Sequence, residues 1–338
     1  LLKAVVGGTK LVVAQDLSNI LSVADLRRFQ QLLRYYTRQG LSLLYICSHH
    51  EEAFSFCDRV AMMENGRMLR VMEKGRFDEE VVWSYALDFS RIKSPPSPGA
   101  SQNAAVCFEA AHSANLAGLT FSVQAGECVV LMDINNTTFG DMVELMSGQV
   151  EPLSGQVLVD GKPPAGSSGG RRAVSFIQQS PLQTMLYTDM SYLDNLCFLA
   201  GEKNPGLWLG SRLRRSIIRE YYPLVGQDIY ETDIRRLPAR ALYSLVYYKV
   251  HLYNPRLAVC IQPFFGADMY LRHHILQLID GLRKKGIAVL ILAVNLSDSL
   301  VVADRLLLVQ NGRLEAEYNN QDFERFVQLL AYPPPEGE

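Results

Sequence analysis

Two stretches of this chain repeat one another at a fixed spacing, and no other feature constrains the fold as much. Lys10–Arg70 holds KLVVAQDL, a helical stretch ending at Gly40, LSLLYICS and then CDRVAMMENGRML. Arg256–Tyr318 holds RLAVCIQP, a helical stretch ending at Gly286, IAVLILAV and then ADRLLLVQNGRLE. Gly40 pairs with Gly286, Asp58-Arg59 with Asp304-Arg305, and Asn65-Gly66-Arg67 with Asn311-Gly312-Arg313, each pair 246 positions apart. Each copy predicts a strand, an amphipathic helix closed by glycine, a buried strand, a second helix and a hairpin turning at Asn-Gly. Strands alternating with helices predict an α/β fold with a parallel sheet.

A chain of 338 residues suggests two domains. The Pro/Ser segment KSPPSPG (Lys93–Gly99) reads as a linker. The expected organisation is an incomplete first domain over 1–90, a linker over 91–103, a complete second domain over 104–330 and a tail over 331–338. The chain opens on Leu1 without an initiator Met, so the first domain is expected to have material upstream.

A net charge of −2 gives no basic footprint, which argues against nucleic acid as a partner. The runs Arg212, Arg214, Arg215 and Arg283, Lys284, Lys285 read as solvated helix faces. Six scattered cysteines form no C-x-x-C pair and no metal spacing, a usage that fits free thiols in a reducing compartment. The longest apolar run, Ile287–Val294, has the length of a buried parallel strand and falls short of a bilayer span.

Between the copies lies CVVLMDINNTTFGDMVELMSG (Cys128–Gly148), laid out as strand, tight loop and helix. That is the layout of a phosphate loop, G-x-x-x-x-G-K-[ST], whose glycines let backbone N–H groups reach the phosphates and whose Lys brings a point charge. The eight positions here are Asp133, Ile134, Asn135, Asn136, Thr137, Thr138, Phe139 and Gly140. The layout is present, but both glycines (at Asp133 and Thr138) and the Lys (at Phe139) are replaced.

With SVADLRRFQQLLR after the first strand, FSVQAGE before the loop, SGQVLVDGKP after it and NPRLAVCIQPFFGAD late in the chain, the sequence resembles tandem ABC ATPase subunits of sugar importers (ribose, galactose, xylose or nucleoside systems). The resemblance covers nearly the whole chain. It implies P-loop NTPase-like ABC nucleotide-binding domains, one partial and one complete. It also implies ATP and Mg²⁺ as cofactors, permease transmembrane subunits and a second copy or another cassette as partners, and a cytoplasmic location, peripheral on the inner face of the membrane.

Several of the family's working positions hold other residues. The two residues closing the Walker B strand, which should be Asp and Glu, are Gln15 and Asp16 in the first copy and Ile261 and Gln262 in the second. The signature motif corresponds to Leu237–Tyr243 (LPARALY), which reads as a helix start with Pro in its first turn. The switch-histidine position falls on Ser48 and Val294; His49 would need a shifted register. Gln179 in FIQQSPLQ matches the Q-loop glutamine, Asp268 in FFGAD the D-loop aspartate, and MSYLDNLCF the helix start near the permease.

The candidate sites carried over are therefore Asp16 and Gln262 at the catalytic positions. Asn136, Thr137, Thr138, Phe139, Gly140, Gln179 and Asp268 are carried over for the nucleotide. Losing one preorganised electrostatic group costs about 2.7–4 kcal/mol of transition-state stabilisation. With Lys, Asp and Glu all replaced, hydrolysis in the second domain is expected to be negligible. Phe139, set against a polyanion, predicts poor ATP affinity. The expected role is a structural or regulatory cassette. The alternatives are an active importer ATPase with an intact loop upstream of Leu1, and an interaction protein that kept the fold.

Overall fold

A computed structural model describes residues 3, 7–15, 17, 21, 23–47, 50–64, 66–77, 104–164, 173–198, 210–294, 296 and 298–323. Asp16, Ser48, His49, Asn65, the linker and the tail lie outside the described residues. The chain divides into two compact units: residues up to 88 together with Phe265–Tyr270, and the remainder.

In the first unit, β1 (Leu11–Gln15), α1 (Val23–Thr37), β2 (Ser42–Ile46), α2 (His50–Phe56), β3 (Arg59–Glu64) and β4 (Arg67–Glu73) follow in order. β1 and β2 pair in parallel, while β3 and β4 form an antiparallel hairpin. The helix α1 buries Leu33 completely. β2 departs from the expected buried strand: Leu44 and Ile46 are exposed, as are Leu11 and Val13 of β1. These strands form a two-stranded sheet among the described residues, and parallel strands become fully buried only when both faces are covered.

The second unit runs β5 (Ala104–His112), β6 (Ala117–Gln124), β7 (Cys128–Asp133), α3 (Phe139–Ser147), β8 (Ser154–Val159), β9 (Val174–Ile177) and α4 (Pro181–Thr184). It continues with α5 (Tyr192–Cys197), α6 (Ser211–Val225), α7 (Ala239–Tyr253), β10 (Leu257–Ile261), α8 (Met269–Lys284, in this unit from Leu271), β11 (Ala288–Ala293), β12 (Arg305–Gln310) and β13 (Arg313–Asn319). The larger sheet has the order β13-β12-β7-β11-β10-β9, parallel except at β13, and a smaller antiparallel sheet has the order β6-β5-β8.

Val106, Phe108 and Leu119 of the smaller sheet share a core with Leu131, Leu290 and Leu292 of the larger sheet and Met142 and Leu145 of α3. Burying each such aliphatic side chain contributes about 1.5–3 kcal/mol. Every residue of β7 is buried, which suits a central strand. A second cluster joins Tyr192 and Leu196 of α5 to Tyr221 of α6 and Leu245 of α7.

The registers of the two units correspond. Leu11 pairs with Ser42 as Leu257 pairs with Ala288, both partners displaced by 246. Arg59 pairs with Glu73 as Arg305 pairs with Asn319, and the bulge after Met62 recurs after Leu308 at the same displacement. One expected element differs. Where the second copy predicts a helix before its hairpin, the described residues form the 3₁₀ turn Ser299–Val301. Two valines at 301–302 disfavour helix.

Candidate functional site

β7 ends at Asp133, and the chain turns through 134–138 into α3, at the carboxyl end of the strand where open α/β sheets place ligands. Asn136 sits at φ +54°, a left-handed value that Asn tolerates and that tightens the turn. The Asp133 side chain is buried and faces back into its own loop. Its Oδ1 accepts the N–H of Asn135 at 3.0 Å. Its Oδ2 accepts the N–H groups of Thr137 at 2.6 Å and Thr138 at 2.8 Å, together with the Thr138 hydroxyl at 2.9 Å. Its backbone carbonyl accepts Asn136 N–H at 3.2 Å. Ile134 N–H donates to Val309 at 3.0 Å, and Asn135 Oδ1 accepts Asn311 N–H at 2.8 Å, which ties the loop to the β12–β13 hairpin.

The backbone donors of this loop are thus gathered at one point, and a side-chain carboxylate engages them. Thr138 caps α3 by position and is fully buried, while Asn136, Thr137 and Gly140 are exposed. Phe139 differs from the expectation of a ring set against a polyanion: it is half-buried and packs on the apolar core. Asp141, in the first turn of α3, accepts bonds from the Ser113 hydroxyl, from Asn115 N–H at 2.8 Å and from Asn115 Nδ2 at 2.9 Å. Burial works against its charge, but those donors outweigh it and hold the carboxyl below its ordinary range.

Gln179 and Gln262, 83 residues apart, meet directly: Gln179 Nε2 donates to Gln262 Oε1. Gln262 follows β10 at φ +44°, and its N–H is held by Leu292 of β11 at 2.8 Å. Ile261 packs against the core. Val294, at the switch position, is buried. These positions therefore carry amide and hydrocarbon groups and no carboxylate.

Asp268 is exposed and immediately precedes α8. At the signature position, α7 begins at Ala239 with Pro238 as its N-cap, so the proline lies just outside the first turn in which it was expected. Ala239 and Arg240 are exposed. The helix start at MSYLDNLCF forms as expected: Ser191 accepts Asp194 N–H and donates its hydroxyl to the Asp194 carboxylate at 2.6 Å. The acceptor role of Asp133 was missed from sequence. Its signal was there, because Asp followed within five residues by Asn and two Thr is the composition of an Asx-type loop.

No family model matches the chain. Curated relatives include the ribose import ATP-binding protein RbsA of Bacillus licheniformis, 22% identical over 330 residues, covering 95% of this chain and 66% of the relative. Another is the ribose import ATP-binding protein RbsA 1 of Mesorhizobium japonicum, 25% identical over 331 residues, covering 93% of this chain and 64% of the relative. The chain therefore spans just under two thirds of the length of these relatives. Among solved structures, cbiO1 of Clostridium perfringens, part of an ABC transporter complex, matches with a TM-score of 0.59 at 17% identity, covering 68% of this chain and 94% of that one. A nucleotide-free ATP-binding cassette from an ABC transporter matches with a TM-score of 0.55 at 21% identity, covering 68% and 96%. Among the described residues no helix is long and apolar enough to cross a membrane. The chain has ribose import ATP-binding proteins among its homologues and carries the α/β, P-loop NTPase-like fold of an ABC nucleotide-binding cassette.

Proposed function

We propose that this chain is a sugar-importer-type ABC subunit that works as a structural or regulatory cassette without hydrolysing ATP. It comprises the C-terminal part of one nucleotide-binding domain and the whole of a second. The similarity to ribose import subunits over 95% of the chain supports the family reading. The displacement of 246 shared by the strand registers of the two units supports the two-domain reading. So does the contrast in burial: Leu11 and Val13 are exposed, while Leu257 and Val259 are fully buried.

One observation carries the loss of catalysis: the Asp133 carboxylate bonds the loop donors that a phosphate would need. A fixed negative charge there opposes a polyanion, and no Lys compensates at Phe139. Ile261 offers Mg²⁺ no oxygen, and Gln262 cannot take a proton from water. The residues present therefore do not fit a Mg²⁺–triphosphate, and no hydrolytic step is assigned to them. Docking on permease transmembrane subunits, beside a second copy or another cassette at the inner face of the membrane, follows from the same reading.

Phosphate release from MgATP by the purified chain tests it. Release at the uncatalysed background is expected. Turnover that disappears in Asp16→Ala or Gln262→Ala would overturn the proposal.

A further inference from the structure

We infer that Asp133 is the loop's own anion, a covalently attached substitute for the phosphate that such a loop is built around. Converging backbone N–H groups form a concavity that needs a negative acceptor, because buried donors left unpaired are costly. Three backbone N–H groups and one hydroxyl converge here, at 2.6–3.0 Å, on the two carboxylate oxygens of Asp133, a residue that is 1% exposed. The first position of a phosphate loop is a glycine, which leaves the concavity to the ligand. Asp133 at that position fills it from within.

Charge-assisted bonds are about twice as strong as neutral ones, so the internal acceptor organises the turn without any ligand. A loop that depends on nucleotide for its order would couple folding to ATP. This one is uncoupled, and its conformation is the same at any nucleotide level. The inference rests on the preceding reading in taking the loop as a phosphate-loop scaffold, and it adds that the scaffold is self-liganded.

The test replaces the carboxylate and offers inorganic phosphate to the vacated donors. The melting temperature of the wild-type chain is expected to respond to phosphate no more than to sodium chloride at matched ionic strength. Asp133→Gly is expected to melt about 5–10 °C lower, and phosphate at tens of millimolar to restore part of that loss, as a ligand binding only the folded state does. Asp133→Asn, which keeps the shape and removes the charge, is also expected to melt lower. If the glycine variant does not fold, amide exchange at Asn135, Thr137 and Thr138 decides: slow in the wild type and fast in Asp133→Asn. Three results would overturn the inference: Asp133→Asn as stable and as protected as the wild type, Asp133→Gly indifferent to phosphate, or a wild type stabilised by phosphate as strongly as the glycine variant. ATP turnover by the wild type would instead end the preceding reading.

Discussion

Asp133 and Thr138 are bonded twice, the carboxylate Oδ2 accepting the threonine N–H at 2.8 Å and its hydroxyl at 2.9 Å. The pair joins the last residue of the central strand to the cap of the following helix, so one side chain fixes both ends of the loop. Thr138→Val keeps shape and N–H but removes the hydroxyl, and should cost about 1–2 kcal/mol in urea denaturation. Thr137 gives the same oxygen only its backbone N–H and is exposed, so Thr137→Ala should stay within about 0.5 kcal/mol.

On the proposed reading, a single added carboxylate should not confer ATP hydrolysis. Gln262→Glu puts an acid beside Gln179 but leaves Asp133 on the loop donors and no Lys at Phe139. Phosphate release from MgATP by this variant should remain at background, because phosphoryl transfer depends on positioning and charge neutralisation together.

Gly66 and Gly312, each preceded by Asn in the sequence, should differ sharply in their tolerance of alanine. A Cβ on Gly312 would lie 2.2 Å from the Asn115 carbonyl oxygen, and φ there is +75°. Gly66, at the matching position, has the same φ but nothing described within 4 Å. Gly312→Ala should cost about 2–5 kcal/mol from overlap and strain together, and Gly66→Ala about 1 kcal/mol from strain alone. Chemical denaturation of each variant measures the contrast.

Two partly buried histidines set an acid limit. Burial, aided by the charge of Lys285, pushes His251 down to about 4; burial, aided by Arg240, does the same to His274. His251 Nδ1 lies 2.7 Å from the Tyr221 hydroxyl, and the His274 ring bonds Ser244 at 2.7 Å, so both rings sit in fixed sites. Unfolded histidine takes a proton near 6.5, so the unfolded state binds more protons below that value and stability falls as pH drops from about 6.5 to about 4. Solvent screening of partly exposed rings reduces the effect to about 1–2 kcal/mol per histidine. His251→Gln and His274→Gln should each flatten the stability–pH curve over that window.

The repeat gave away most of the fold. A strand register cannot slip by one residue without exposing its core face, so matched sequence at fixed spacing led to matched pairing in β1–β2 and β10–β11. What burial requires from distant segments was not legible locally: LSLLYICS reads as a buried strand, yet Leu44 and Ile46 are exposed, with that face left uncovered by the described residues. The replacements at the site were legible as residue types, whereas their new partners were not. The meeting of Gln179 with Gln262 depends on β9 and β10 lying side by side. Asp133 read as a lost glycine, and nothing local showed that its carboxylate would bond the N–H groups of Thr137 and Thr138.

Calorimetric titration of the 338-residue chain with MgATP tests the central claim most directly. The closed Asp133 loop predicts no saturable heat up to millimolar nucleotide. A dissociation constant in the micromolar range would contradict it.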